Sequence, residues 1–169
     1  MRIREALDTD FDGVWPIFHA VVSKGDTYAY PTDTDQAAAR RLWMEQPRKT
    51  FVAEEAGRIL ATYYLKTNQP GPGAHVCNCG YMVAEPARGR GLATALCEHS
   101  QRTAVVLGYK AMQFNFVASS NEGAVALWTK LGFETVGRLP KAFEHPRLGL
   151  VDALVMYKWL SEQIDDIRR

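Results

Sequence analysis

The 169-residue sequence has almost no excess of charge of either sign, with 20 Lys and Arg against 19 Asp and Glu and a net charge of +1. That balance excludes the basic surface by which general nucleic-acid binders hold phosphate. It also excludes a basic amphipathic membrane anchor. No apolar run approaches the roughly 20 residues that a membrane span needs. No apolar stretch follows the opening Met1-Arg2-Ile3-Arg4-Glu5, which runs into Asp8 and Asp10, so no secretory signal is expected. Cysteine is scarce, at three residues, and an odd count in a chain of this size reads as a reducing cytoplasm rather than a disulfide framework. Repeats and low-complexity tracts are absent. What is present is 47% hydrophobic and 23% charged residues, enough apolar side chain for one packed domain over residues 1–169.

The pattern alternates strands and helices. Met1–Glu5 reads as a first strand, and Asp8 or Asp10 caps a helix through Val22 with Val14, Ile17, Phe18 and Val21 on one face. Ser23–Pro31 is a loop, and Asp33 or Thr34 caps a second helix to Glu45. Thr50–Glu55 and Arg58–Leu65 form a hairpin around Ala56-Gly57. Gln69–Gly73 is a breaker between strands. His75–Val83 is a strand, Pro86–Gly91 a turn, and Leu92–Leu107 a helix stopped by Gly108. Ala111–Val117 is a strand, Asn121–Leu131 a helix stopped by Gly132, and Phe133–Arg138 and Leu150–Trp159 are closing strands joined by a long loop, Leu139–Gly149. The strand–helix–strand unit His75–Val117 demands parallel pairing and a right-handed crossover. The expected fold is α/β (α+β): a mixed, mostly antiparallel sheet of six to seven strands with helices on both faces.

The chemistry concentrates in Met82-Val83-Ala84-Glu85-Pro86-Ala87-Arg88-Gly89-Arg90-Gly91-Leu92-Ala93, where a strand ends, two glycines turn the chain, and a helix begins. Free N–H groups and the helix dipole at such a start favour an anion, and Arg88 and Arg90 add positive charge. A Walker A loop needs Lys-Ser/Thr after its last glycine, and Leu92-Ala93 stands there instead. Gly89-x-Gly91-x-Ala93 also fits the dinucleotide fingerprint poorly. A plain connecting turn is the alternative to a pyrophosphate cradle.

Arg88-x-x-Gly91-x-Ala93, following Met82-Val83 and Pro86, resembles the acyl-CoA pyrophosphate loop of the GNAT superfamily of N-acetyltransferases. Asn121-x-x-Ala124-x-x-Leu127-Trp128-x-x-x-Gly132-Phe133 resembles that superfamily's segment along the pantetheine arm. The resemblance implies a single GNAT-like domain. Its two parallel strands, His75–Val83 and Ala111–Val117, splay apart around the thioester of acetyl-CoA, with no metal. It implies that backbone N–H groups near Met82 and Val83 receive the acetyl carbonyl. Those of Arg88, Gly89, Arg90, Gly91, Leu92 and Ala93 would bind the pyrophosphate, and Ala124 and Trp128 would line the arm. Many members carry a tyrosine acid at the position of Trp128, whose indole N–H donates a hydrogen bond but releases no proton in this role. An apolar wall is then the role expected of Trp128.

On the strand His75–Met82, alternation places His75, Cys77, Cys79 and Tyr81 on one face and Asn78, Gly80 and Met82 on the other. His75 to Cys79 spans ~13 Å along a strand, too far for one zinc with ~2.3 Å bonds, so packing is the role expected of Cys77 and Cys79. Asn78, Asn115 and Asn121 resemble the asparagines of enzymes that acetylate toxic proline analogues. That likeness implies Asn78 beside the reacting groups, with Asn115 and Asn121 as polar contacts; an N-cap alone also accounts for Asn121. Glu54 or His75 is a weak candidate base. Acceptor recognition is expected from Tyr28 and Tyr30 in Ser23–Thr34, from Gln69–Ala74, and from Lys141, Phe143, Glu144, His145 and Arg147.

The resulting expectation is a cytoplasmic N-acetyltransferase acting directly on a small-molecule amine, an amino or imino acid among the candidates. No nucleic-acid or membrane partner is expected. The alternatives are acetylation of a protein N-terminus or lysine, and a non-catalytic acyl-CoA-binding module. The apolar run Leu150–Trp159 permits a homodimer by final-strand pairing.

Overall fold

A computed structural model describes residues 1–160. One sheet organises the chain. Its strands are β1 (Arg2–Glu5), β2 (Lys49–Glu55), β3 (Arg58–Thr67), β4 (Val76–Val83), β5 (Ala111–Ala118), β6 (Glu134–His145) and β7 (Gly149–Trp159). They lie in the order β1-β2-β3-β4-β5-β7-β6. All pairs are antiparallel except β4 with β5. The helices are α1 (Phe11–Val22), α2 (Gln36–Arg40), α3 (Leu92–Val106) and α4 (Glu122–Lys130). This is the mixed α/β architecture expected from the sequence.

The sheet carries a core on each face. One contains Val14, Phe18 and Val22 of α1, Trp43, Val52 and Met82. The other contains Leu92, Leu96 and Cys97 of α3, Trp128 of α4, and Cys77, Cys79, Met112 and Phe114. The register of β3 with β4 runs unbroken from Ala61↔Val83 to Thr67↔Cys77. The face alternation along β4 therefore holds, and Cys77 and Cys79 are buried, unoxidised packing residues.

Three expectations are corrected. The second helix is capped by Asp35, whose carboxylate accepts from the Ala38 N–H at 2.7 Å, not by Asp33 or Thr34. The Thr34 hydroxyl donates backward to the Pro31 carbonyl at 2.5 Å and serves the loop instead. After Arg40 the helix widens, with Gln46 N–H reaching the Arg41 carbonyl, and this turn carries buried Trp43 into the core.

The long loop Leu139–Gly149 is mostly strand. Pro140, Lys141 and Ala142 bulge opposite Asp152 alone, between the pairs Leu139↔Ala153 and Phe143↔Val151. The Asp152 carboxylate accepts from Lys141 N–H at 2.9 Å and Arg138 at 2.5 Å, which holds Lys141 at φ 54. Buried His145 then accepts from the N–H groups of Arg147 and Leu148 and closes the turn. Pro140 and Pro146 break the hydrophobic pattern, but one sits in the bulge and the other in the turn, so the hairpin survives.

Finally, the expected final-strand dimer has no free edge to use. Among the described residues β7 is flanked by β5 and β6, and the outer strands of the sheet are β1 and β6. Among the described residues no helix is long and apolar enough to cross a membrane.

Candidate active site

β4 and β5 pair only at Val76↔Ala111 and Cys77↔Met112 and then diverge. At the point of divergence a side chain replaces the ladder. Asn78 Nδ2 donates to the Gln113 carbonyl on β5 at 2.9 Å, and Asn78 Oδ1 accepts from the Tyr64 hydroxyl at 2.9 Å. Asn78 is buried, and these two bonds meet much of the cost of burying its amide.

Beyond it the edge of β4 facing β5 is open. The Asn68 N–H donates to the Val76 carbonyl and the Ala84 N–H donates to the Leu60 carbonyl of β3, while the carbonyl of His75 accepts from Lys110 before β5. Even-numbered residues of β4 thus turn to β3, and alternation directs the backbone groups of Cys79, Tyr81 and Val83 into the gap. Tyr28 donates its hydroxyl to the Tyr81 carbonyl there at 2.7 Å. Of Met82 and Val83, then, it is the Val83 N–H that faces the cleft.

A cavity of about 760 Å³ follows this gap, with Val83, Arg88, Gly89 and Ala93 at one end and Tyr28, Tyr30, Tyr64 and Lys66 on its walls. This first end is made of backbone. Gly91 caps α3 at φ 76, a conformation glycine adopts without strain. Cβ atoms at Gly89 or Gly91 would meet nothing within 4 Å. Among the described residues, the N–H groups from Gly89 to Ala93 have no hydrogen-bond acceptor. Open space over unpartnered N–H groups at a helix start fits a pyrophosphate. Arg88 lines this end. Arg90 turns away to Glu55, 2.8 Å off, and its guanidinium holds that carboxyl below its ordinary range. Leu92 is buried and anchors the helix start in the core.

The far wall is α4. Asn121 accepts from the Ala124 N–H at 3.3 Å and also lines the cavity. Ala124 is on the same wall. Trp128 is buried against Tyr81 and Phe114, with ring centroids 5.1 and 5.2 Å away. Its indole N–H has no hydrogen-bond acceptor among the described residues.

The opposite end is built from side chains of separate segments. Tyr28 and Tyr30 stack at 5.6 Å, and Trp43 meets Tyr64 edge-on at 4.8 Å. Burial pushes the phenols of Tyr28, Tyr64 and Tyr81 above the usual tyrosine range. Gly80 makes the approach feasible: a Cβ there would stand 2.6 Å from the Tyr64 ring and 3.1 Å from the Tyr28 hydroxyl. Asn115 lies on a β5 bulge, accepts from Gln113 and donates to Asn68 at 2.7 Å.

Some expected residues lie elsewhere. Phe143 is buried near Phe116, centroids 6.2 Å apart, and does not line the cavity. Lys141, Glu144, His145 and Arg147 belong to the β6–β7 hairpin, again outside the lining. Glu54 is bound to Arg4, and His75 packs on Trp159. Conversely, Tyr64, Lys66 and Gly80 line the cavity without any signal in the sequence, while Thr27 lines it from within the expected segment Ser23–Thr34. Tyr64 reads there as part of a plain hairpin that ends at Leu65, one residue short of Lys66, and only the pairing Lys66↔Asn78 shows them to be neighbours of the cleft.

A family model described as the acetyltransferase (GNAT) family matches residues 7–133. The chain belongs to the GNAT family of acetyltransferases. Among solved structures it is similar to a GCN5-related N-acetyltransferase from Kribbella flavida, at 43% identity and TM-score 0.89 over 94% of this chain and 97% of that one. The fold also matches a GNAT phosphinothricin acetyltransferase from Sinorhizobium meliloti, solved in complex with acetyl-CoA. That match has 21% identity and TM-score 0.81 over 94% of this chain and 88% of that one. Among curated proteins it is 30% identical to the N-acetyltransferase aca1 of Schizosaccharomyces pombe over 109 residues, 64% of this chain. The match spans 52% of aca1, so the chain spans about half the length of that relative. The GNAT assignment agrees with the two motifs, and the splayed β4–β5 pair is where their residues meet.

Proposed function

We propose that this GNAT protein transfers an acetyl group from acetyl-CoA directly to the amine of a small molecule. The observation that carries this reading is the continuity of one cavity, from unpartnered N–H groups at the start of α3, through the β4–β5 gap, to a wall of tyrosines.

When bound, acetyl-CoA supplies an activated thioester carbonyl. The N–H groups of Gly89 to Ala93 and the Arg88 side chain hold its pyrophosphate. The Val83 N–H, directed into the gap, donates to the carbonyl oxygen as negative charge grows there. Asn78 fixes where the gap begins and so sets the thioester's depth beside the acceptor. Transfer forms a carbon–nitrogen bond and breaks the carbon–sulfur bond. The thiolate leaves without a side-chain acid, since Trp128 replaces the usual tyrosine, and the proton that the acylated nitrogen sheds passes to it directly or through water.

Among the described residues no Asp, Glu or His lines the cavity, and its tyrosines are held protonated by burial. The attacking nitrogen therefore enters neutral or sheds its proton to water. On this account kcat/KM rises with pH toward the acceptor's own amine pKa and shows no earlier inflection from the protein. A pH profile with two acceptors of different basicity checks this directly.

The enclosing tyrosines favour a small acceptor over a polypeptide. The test is thiol release from acetyl-CoA across amino acids, cyclic imino acids, polyamines, aminoglycosides and short peptides, with mass detection of the acetylated product. Transfer to a small amine is the expected result. Transfer to peptides alone assigns a protein substrate, and acetyl-CoA binding with no transfer to any amine contradicts catalysis.

A further inference from the structure

The charge lining the cavity is one-sided. Lys66 and Arg88 are its charged residues, and among the described residues no carboxylate accompanies them. Arg88 stands at the pyrophosphate end. Lys66 stands on the acceptor side, on β3 directly across from Asn78. Cross-strand partners on one face lie about 5 Å apart at Cβ. Its ammonium rests 5.1 Å above the Tyr64 ring, and among the described residues it has no ion-pair partner. The Thr27 hydroxyl lines the same cavity, buried and without a hydrogen-bond partner among the described residues, a state that buried polar groups rarely keep without a ligand, ion or water to complete them.

An unpaired ammonium over an aromatic floor, in the same cavity as an orphaned hydroxyl, suits an anionic group. The absence of any carboxylate makes the same cavity a poor host for a second cationic group. Resting on the acetyl-transfer reading, we infer that the acceptor is an amine bearing a carboxylate or similar anion, an amino or imino acid, and that Lys66 reads that anion. The ammonium holds the acid group at the β3 side of the floor, which leaves the amine to face the β4–β5 gap beside Asn78. Tyr28, Tyr30 and Tyr64 cover the carbon skeleton. Polyamines and aminoglycosides are rejected by Lys66 rather than merely unrecognised. Lys66 is thus a specificity-determining residue and takes no part in the bond changes.

The experiment compares the proteinogenic amino acids with their own carboxamides, and with putrescine and benzylamine, in the native protein and in Lys66→Met and Lys66→Glu. The native protein is expected to favour the acid over its amide by about tenfold or more in kcat/KM, mainly through KM. Lys66→Met should level the two, and Lys66→Glu should favour the amide. Acetyl-CoA affinity, measured by calorimetry, should stay within about twofold in both variants, because Lys66 lies outside the cofactor end. Native turnover that favours amides or diamines overturns the inference and leaves acetyl transfer standing. An acid-to-amide ratio unchanged in Lys66→Met overturns the role of Lys66. Failure to acetylate any amine, with acetyl-CoA bound, overturns the transfer reading and this inference with it.

Discussion

The two ends of the cavity are built by opposite means. The end proposed to hold the cofactor consists of main-chain N–H groups in one short stretch, Gly89 to Ala93, at the start of one helix. The end proposed to take the acceptor consists of side chains from the loop before α2, from β3 and from β4, brought together only by the sheet. A backbone site demands glycines and a helix start in a fixed local order. A side-chain site demands only that the strands be in register, and any residue of suitable size and charge will serve. The contrast teaches that one end is fixed by local geometry and the other is free to set specificity.

The sharpest way to break this comparison is Gly91→Val. A β-branched residue at φ 76 is strained by roughly 1–3 kcal/mol, and its side chain fills the space open above the loop. Acetyl-CoA affinity should fall by about 100-fold or more, while circular dichroism stays native. Gly80→Ala strikes the other end. Its methyl would stand 2.6 Å from Tyr64, so the aromatic floor must shift. The acceptor KM should rise about tenfold with acetyl-CoA affinity unchanged, as steady-state kinetics and calorimetry would show.

Asn78 joins the two ends. Asn78→Ala leaves the Tyr64 hydroxyl and the Gln113 carbonyl without partners. Stability in urea should fall by about 1–3 kcal/mol, and kcat should fall more than acetyl-CoA affinity. Equal losses in kcat and affinity would mean that Asn78 acts only through the width of the gap. Trp128→Tyr should change kcat by less than about threefold, because the position is a wall between Tyr81 and Phe114. A large gain in turnover would show that an acid is missing there.

The smallest effect concerns neither end. The Arg4 guanidinium holds the Asp10 carboxyl below its ordinary range. A carboxyl whose folded pKa is depressed adds stability above its unfolded value of about 4 and loses it as pH falls through the folded value. Melting temperature should therefore decline on acidification from roughly pH 5, and Asp10→Asn should blunt that decline.

The same contrast explains what was legible in the sequence. Arg88, Gly89, Gly91 and Ala93 are neighbours along the chain, so one motif points to the cofactor end. The element order around them is readable too, because the longer helices repeat an apolar face and glycines mark the ends of α3 and α4. Lys66 gives no such signal. It follows an apolar strand, resembles an ordinary solvated lysine, and becomes a cavity residue only through the register that sets it opposite Asn78. Lys141, Phe143 and His145 illustrate the converse: a proline-broken stretch reads as a recognition loop, yet the Asp152 carboxylate and the His145 ring tie it into a hairpin outside the cavity. Side-chain-to-backbone bonds of this kind leave no periodic trace.

The most direct measurement is calorimetric titration of acetyl-CoA into the native protein, Gly91→Val and Gly80→Ala side by side. The account predicts binding to the native protein and to Gly80→Ala with closely similar affinity, and loss of binding in Gly91→Val. Native-like binding to Gly91→Val would contradict it, because the cofactor would then be held somewhere other than the start of α3.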